Sequence, residues 1–295
     1  MTTTFANINP EIVHSARQRS QLSLAVLAEK INVTEEKLEG WEMGTISPTF
    51  PQAKKIAKKT HIPFGYLFLD TPPEERIEIP DLRTIGNEAP AQPSTELLDL
   101  INIMTERSNW YAEFLHDQGI TKNPNVGRFT IDATVDEIVA DIRQVLGVSL
   151  SDPRGTNEEN YFRLLVSRIE QAGILVMKQA TIRNHRKLSV DEFRGFAIND
   201  PLAPLVFVNL ADIKSASLFT LIHELAHIWL GESALSDGSF DTDQQLEIKC
   251  NAIAAEFLVP QEDFQKRWRE LDDWRQNIPE LTSIFHTSRW VIARR

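Results

Sequence analysis

The residues best equipped for chemistry in this chain are His223, Glu224 and His227, in the run His223-Glu224-Leu225-Ala226-His227. In a helix, positions four apart lie on one face, so both imidazoles can reach one metal ion. Imidazole nitrogen is a favoured zinc ligand. The glutamate between the two histidines is directed near the metal's open position, where it can take a proton from water. The flanking residues Leu218, Leu221, Ile222, Leu225, Ala226, Ile228 and Leu230 are apolar. A helix apolar on all sides is a buried one, as a metal-bearing helix would be. The plain alternative is a core helix with two hydrogen-bonded histidines.

A catalytic zinc needs a third protein ligand. The extended H-E-x-x-H-x-x-G-x-x-H motif requires Gly at 230 and His at 233. Leu230 and Ser233 stand there, which excludes that class. The simplest source is the next helix, read over about Asp243 to Leu258. Glu247 follows His227 at a separation that allows a loop and two helical turns back. Glu256 is nine positions further, about 900° of rotation, so it faces away if Glu247 faces the metal. Ala252 and Ala255 are small and would let the two helices approach. Glu232, Asp237, Asp241 and Asp243 are weaker candidates in or beside the loop, and a solvated surface role is the alternative for Glu247. Cys250 reads as packing rather than as a ligand. His286 is a further histidine, but no spacing ties it to the motif.

The elements that must position these residues read as helix-rich α+β. A chain of 295 residues suggests about two domains. Hydrophobic residues make up 42% and charged residues 25% of it. That composition excludes long disorder. No apolar run approaches the roughly 18 residues of a membrane span, and the first twenty residues hold no signal-peptide core. With one cysteine, no disulfide can form within the chain, and a cytoplasmic protein is expected. Helices are predicted over about 94–118, Val135 to Leu146 (capped by Thr134), Glu158 to Gln171, Ile213 to Leu230 and most of 261–295. Three apolar runs, Ile174 to Met177, Phe193 to Ile198 and Leu205 to Val208, have strand length and form a small sheet. The tail 281–295 resembles a second, shorter helix-turn-helix and is read as core packing. It ends inside a helical pattern, so a longer chain is expected.

The first seventy residues read as five short helices. Pro10 opens the first, Leu24 the second, and Thr34 caps the third, which Gly44 ends. The fourth carries Ala53, Ile56 and Ala57, and the fifth lies near Phe64 to Leu69. Five prolines between Asp70 and Pro93 give an extended linker. The predicted division is therefore 1–70, then linker and long amphipathic helix over 71–130, then 131–295. Residues 1–69 hold eight Lys and Arg against six Glu, or +2, so the remainder carries −13 and the whole chain −11.

The stretches Gly195 to Ile198, Pro204 to Asn209, Phe219 to His227 and Glu247 to Pro260 resemble the ImmA/IrrE-type zinc metallopeptidases. That resemblance implies a zincin-like domain in which His223, His227 and Glu247 bind zinc and Glu224 is the catalytic base. Characterised members cleave DNA-bound repressors, so a regulatory protein is the implied substrate. Residues 10–70 resemble an XRE-type helix-turn-helix domain, on Leu27 to Thr34, Trp41 to Gly44 and Pro48-Thr49, which implies operator DNA as a partner. Pro80 to Thr84 and the Trp110 helix are similar to a subgroup that joins the two. The same two-part layout occurs in proposed antitoxins, which implies as an alternative a protein that neutralises a small nuclease toxin by binding it. In the third helix Glu35, Glu36, Glu39 and Glu42 stand against Lys37. Carboxylates repel phosphates, so duplex binding is expected to be weak and salt-dependent, with Lys54, Lys55, Lys58 and Lys59 as the basic face of the fourth helix.

Overall fold

Each helix near the N terminus starts at a residue whose side chain can take an orphan backbone N–H. The computed structural model describes residues 4–20, 22–72, 94–149, 157–182, 186–231, 240–271 and 273–295. Asn9 accepts from the Glu11 N–H at 3.0 Å and Pro10 begins α1, Pro10–Arg19. Ser23 caps α2, Leu24–Ile31, and Thr34 caps α3, Glu35–Glu42. Gln52 reaches back to the Thr49 N–H at 2.8 Å and sets the start of α4, Phe50–Lys59. Gly44 has φ +69, the conformation that ends α3 and that glycine adopts without strain. Leu27, Ile31, Leu38, Trp41, Ile56 and Leu67 fill the core of this unit.

The expected fifth helix is a 3₁₀ turn, Phe64–Phe68. So short a segment after Pro63 cannot repay α-helix nucleation. Glu42 also departs from the sequence reading. Its carboxylate accepts from Arg17 at 2.6 and 2.8 Å and lies 2.9 Å from His14 Nδ1, so it ties α3 to α1 instead of facing outward. Glu35, Glu36 and Glu39 remain exposed beside Lys37.

The chain divides into two compact units, one of residues 1–77 and 92–99, the other of 78–91 and 100–295. Most of the proline-rich linker lies outside the described residues. Helix α5, Thr95–Asp117, is the expected long helix. Within the second unit it buries Leu100, Ile101, Met104 and Ser108, whose hydroxyl donates to Ala203 O at 2.8 Å. Trp110 and Phe114, expected on the apolar side, are exposed instead, Trp110 at 68%. They lie outside the repeat that 100, 104 and 108 define. The two rings stack on each other with centroids 6.4 Å apart.

Thr134 and Glu137 form a reciprocal cap for α6, Val135–Leu146, and Asn157 caps α7, Glu158–Gln171. Strand β1, Leu175–Gln179, pairs in parallel with β5, Leu205–Asn209, from Leu175↔Leu205 to Gln179↔Asn209. Strand β4, Gly195–Ile198, pairs antiparallel with the other side of β5. The order is β1-β5-β4, so β4 is an edge strand. Every residue of the central β5 is buried, which matches the apolar run Leu205 to Val208. A short hairpin of β2, Thr181–Ile182, and β3, Arg186–Lys187, was not evident from periodicity. Helix α8, Lys214–Leu230, packs on β4 and β5 and alongside α9, Phe240–Leu258. The tail folds as α10, Gln261–Arg267, α11, Asn277–Phe285, and α12, Arg289–Arg294. Its residues Leu281, Phe285 and Ile292 join the core, as the packing reading expected. No helix among the described residues is long and apolar enough to cross a membrane.

Candidate metal centre

Helix α8 is buried from Ser215 to Leu230, so its polar residues cannot rely on water. His223 and His227 present their Nε2 atoms to each other at 3.2 Å. From α9, Glu247 places Oε1 3.1 Å from His227 Nε2 and Oε2 3.5 Å from His223 Nε2. Two donors each about 2.0–2.1 Å from a tetrahedral zinc lie about 3.3–3.4 Å apart. The three observed separations bracket that value. Two imidazoles and one carboxylate, all buried and converging within 4.8 Å, form a donor set that could hold a metal ion.

The surroundings favour positive charge at this point. Burial by itself pushes the His227 pKa down, but Cys250, Glu247 and Glu224 outweigh it and raise the value well above the ordinary imidazole range. Burial pushes the Cys250 thiol up and outweighs the neighbouring His227, which pulls it down. Glu224 is fully buried on the α8 face next to β4. A Cβ added at Gly195 would fall 3.0 Å from Glu224 Oε1, 2.7 Å from Phe207 O and 2.5 Å from Thr220 Cγ2. The carboxylate therefore reaches the start of the edge strand, and only glycine leaves it that room.

The structure thus brings His223, His227 and Glu247 together, with Glu224 on the same helix. Glu256 is elsewhere, paired with Arg295 and accepting from the Gln261 N–H at 3.2 Å. His286 ends α11 with its ring 6.2 Å from that of Tyr161 and takes no part in the cluster. Cys250 is buried in the core, on the same side of α9 as Glu247. Glu232 and Asp237, with the side chains of Asp241 and Asp243, lie outside the described residues. On α9, Ala254 is buried two helical turns from Glu247 and thus on its face. Ala252 and Ala255, expected to let the two helices approach, are half-buried.

Several supports of the site escaped the sequence reading. The Gly127 and Phe129 N–H groups donate to Ile228 O and Trp229 O, each at 3.0 Å, and so satisfy the end of α8. Gly231 turns there with φ +70, against Gly127, where a Cβ would come 2.4 Å from the Gly127 Cα. Trp229 Nε1 donates to Asp141 on α6 at 2.8 Å, and Asp141 pairs with Arg128 at 2.9 Å. Arg143 stacks on Phe257, 4.6 Å from its ring, and donates to Phe257 O, while Lys249 donates to Ala133 O. Asn251 donates to Glu247 O at 2.8 Å and steadies that turn of α9. The contacts between α8, α9 and their supports join positions far apart in the chain, a range in which no local pattern signals them.

A buried H-E-x-x-H helix on a small sheet, with a glutamate supplied by the next helix, defines a zincin-like metallopeptidase arrangement. Residues 169–295 match the family described as IrrE N-terminal-like domain, and residues 13–67 match a helix-turn-helix family. The chain therefore carries an XRE-type helix-turn-helix domain followed by an ImmA/IrrE metallopeptidase domain. No curated protein matches it.

Proposed function

We propose that this protein is a zinc-dependent metallo-endopeptidase that cleaves a regulatory protein such as a repressor, with residues 1–70 as its helix-turn-helix module, 71–130 as linker and long helix, and 131–295 as the catalytic part. The observation that carries this is the convergence of two Nε2 atoms and a carboxylate oxygen at 3.1–3.5 Å, with a buried Glu224 beside them. His223, His227 and Glu247 would hold the zinc. Bound there, zinc would supply Lewis acidity toward the scissile carbonyl. Glu224 takes a proton from the attacking water on its carboxylate and returns one to the leaving amine. Its burial against Gly195 fixes where that proton is received. The edge position of β4 leaves a strand side to which an extended peptide can pair. The helix-turn-helix domain supports DNA as a second partner, and the lone buried cysteine fits a cytoplasmic setting.

A second reading, neutralisation of a basic toxin by binding, rests on the −13 carried outside residues 1–69. Glu224→Gln separates the two. It cannot accept a proton at neutral pH, so zinc content should be unchanged and cleavage of the regulatory protein should fall by about 10² to 10⁴-fold. Full biological activity of that variant would reject proteolysis and leave the binding reading.

A further inference from the structure

The helix-turn-helix unit has a second exposed surface that neither the metal cluster nor α3 uses. Phe50 at the start of α4 meets Phe64 and Phe68 of the 3₁₀ turn in a triangle, with centroids 6.3, 6.2 and 5.2 Å apart. Phe50 is 37% and Phe68 41% exposed, unusual for phenylalanine. Along α4, Phe50, Lys54 and Lys58 recur at i, i+4 and i+8 and so form one stripe. Lys54 Nζ lies 5.8 Å from the Phe64 ring centre. Lys54, Lys55, Lys58 and Lys59 are all exposed, and none is in an ion pair among the described residues. Residues 1–69 carry +2 in a chain of net −11, so this face is a positive surface on an acidic molecule.

We infer that this face binds single-stranded nucleic acid, with unpaired bases against Phe50 and Phe68 and phosphates on Lys54 and Lys58. Lysines alone would attract any polyanion. The adjoining exposed rings add a stacking platform that only unpaired bases can use, because a duplex hides its base faces in its own stack. Lys54 and Lys58 stand about 6 Å apart along the helix axis, so one strand following the stripe meets both. A second copy of this chain fits poorly, since a two-fold contact through this face would set the lysine row against its own equivalent. The exposed acids Glu35, Glu36 and Glu39 belong to α3 and the lysines to α4, so the unit carries the two signs on different helices. The inference is independent of the peptidase reading.

The full-length protein would be titrated, by fluorescence anisotropy at low salt, against labelled dT20, rU20 and a mixed-sequence duplex of the same length. At least about tenfold tighter binding of a single strand than of the duplex is expected, and dT20 against rU20 tells a DNA source from an RNA one. Phe68→Ala should weaken single-strand binding about fivefold or more. Lys54→Glu with Lys58→Glu should weaken it further and lower the salt slope by about 1.4. The lysines are exposed and Phe68 is partly so, so the variants should remain folded at the assay temperature, as thermal unfolding checks, and the affinity change is then read on folded protein. Four results would overturn the inference. They are equal affinity for duplex and single strand, full affinity of Phe68→Ala, a dimer in sedimentation that Phe68→Ala dissolves, and binding confined to phosphatidylserine vesicles.

Discussion

Helices α8 and α3 each carry the candidate functional residues of their unit, and they do so in opposite ways. In α8 the candidate side chains are inside, with His223, Glu224 and His227 at most 1% exposed. In α3 Leu38 and Trp41 are buried and Glu42 turns in toward α1, while Glu35, Glu36, Lys37 and Glu39 face solvent. Chemistry at α8 depends on fixed distances, such as the 3.1–3.5 Å between donor atoms, that only a packed surround can hold. Recognition at α3 depends on the sign of a solvated surface, which salt screens. A single change should therefore be severe in α8 and graded in α3.

The largest effect should come from removing a donor. Glu247→Ala or His223→Ala should abolish zinc retention, measured by metal analysis after dialysis, because three protein donors become two. Chelation of the parent protein should lower its melting temperature, and chelation of Glu247→Ala should not. If Glu247→Ala kept its zinc, the third donor would have to be sought among Glu232, Asp237, Asp241 and Asp243.

Next in size is Gly195→Ala. Its Cβ would meet the Phe207 carbonyl at 2.7 Å, and main chain cannot swing aside as a side chain does. Peptide cleavage should fall more than tenfold while zinc stays bound, at a stability cost of about 1–3 kcal/mol. Unchanged cleavage by this variant would mean that Glu224 does not work from the position described.

A smaller, graded response is expected in α3. Neutralising Glu35, Glu36 and Glu39 to Gln should strengthen duplex DNA binding by the full chain at low salt, and the gain should shrink as salt rises. Tight, sequence-selective binding by the parent at physiological salt would show that the acidic face does not oppose DNA.

The smallest effect concerns the one acid of α3 that is not on its surface. Burial raises the Glu42 pKa, but hydrogen bonds from Arg17 and His14 outweigh it and hold the carboxyl below its usual range. A lowered folded value means that the stabilisation is complete above the unfolded value of about 4.3 and is lost as pH falls through the folded one. Glu42→Gln should cost on the order of 1 kcal/mol at pH 7. The gap from the parent should close in acid, as read by circular dichroism.

Much of this molecule was legible locally. The starts of α1, α3 and α6 follow from Pro10, Thr34 and Thr134, because a helix start is signalled and satisfied within one helical turn. The pairing of His223 with His227 follows from helical pitch, and the orientation of Glu247 away from that of Glu256 follows from the same arithmetic. Where an answer depended on what lies opposite, sequence was silent or misleading. Glu42 counts as a surface acid until Arg17 and His14 are brought to it, and Trp110 counts as core until the buried repeat of α5 is seen. Nothing near Gly195 announces that Glu224 will press on it from another element. The sequence by itself determined which residues could serve as donors, which helices carry them and on which face. The tertiary structure decided that the donors meet and that Glu224 stands over an edge strand. Helical period is a property of neighbours in the chain, whereas meeting in space is set by packing between segments far apart in it.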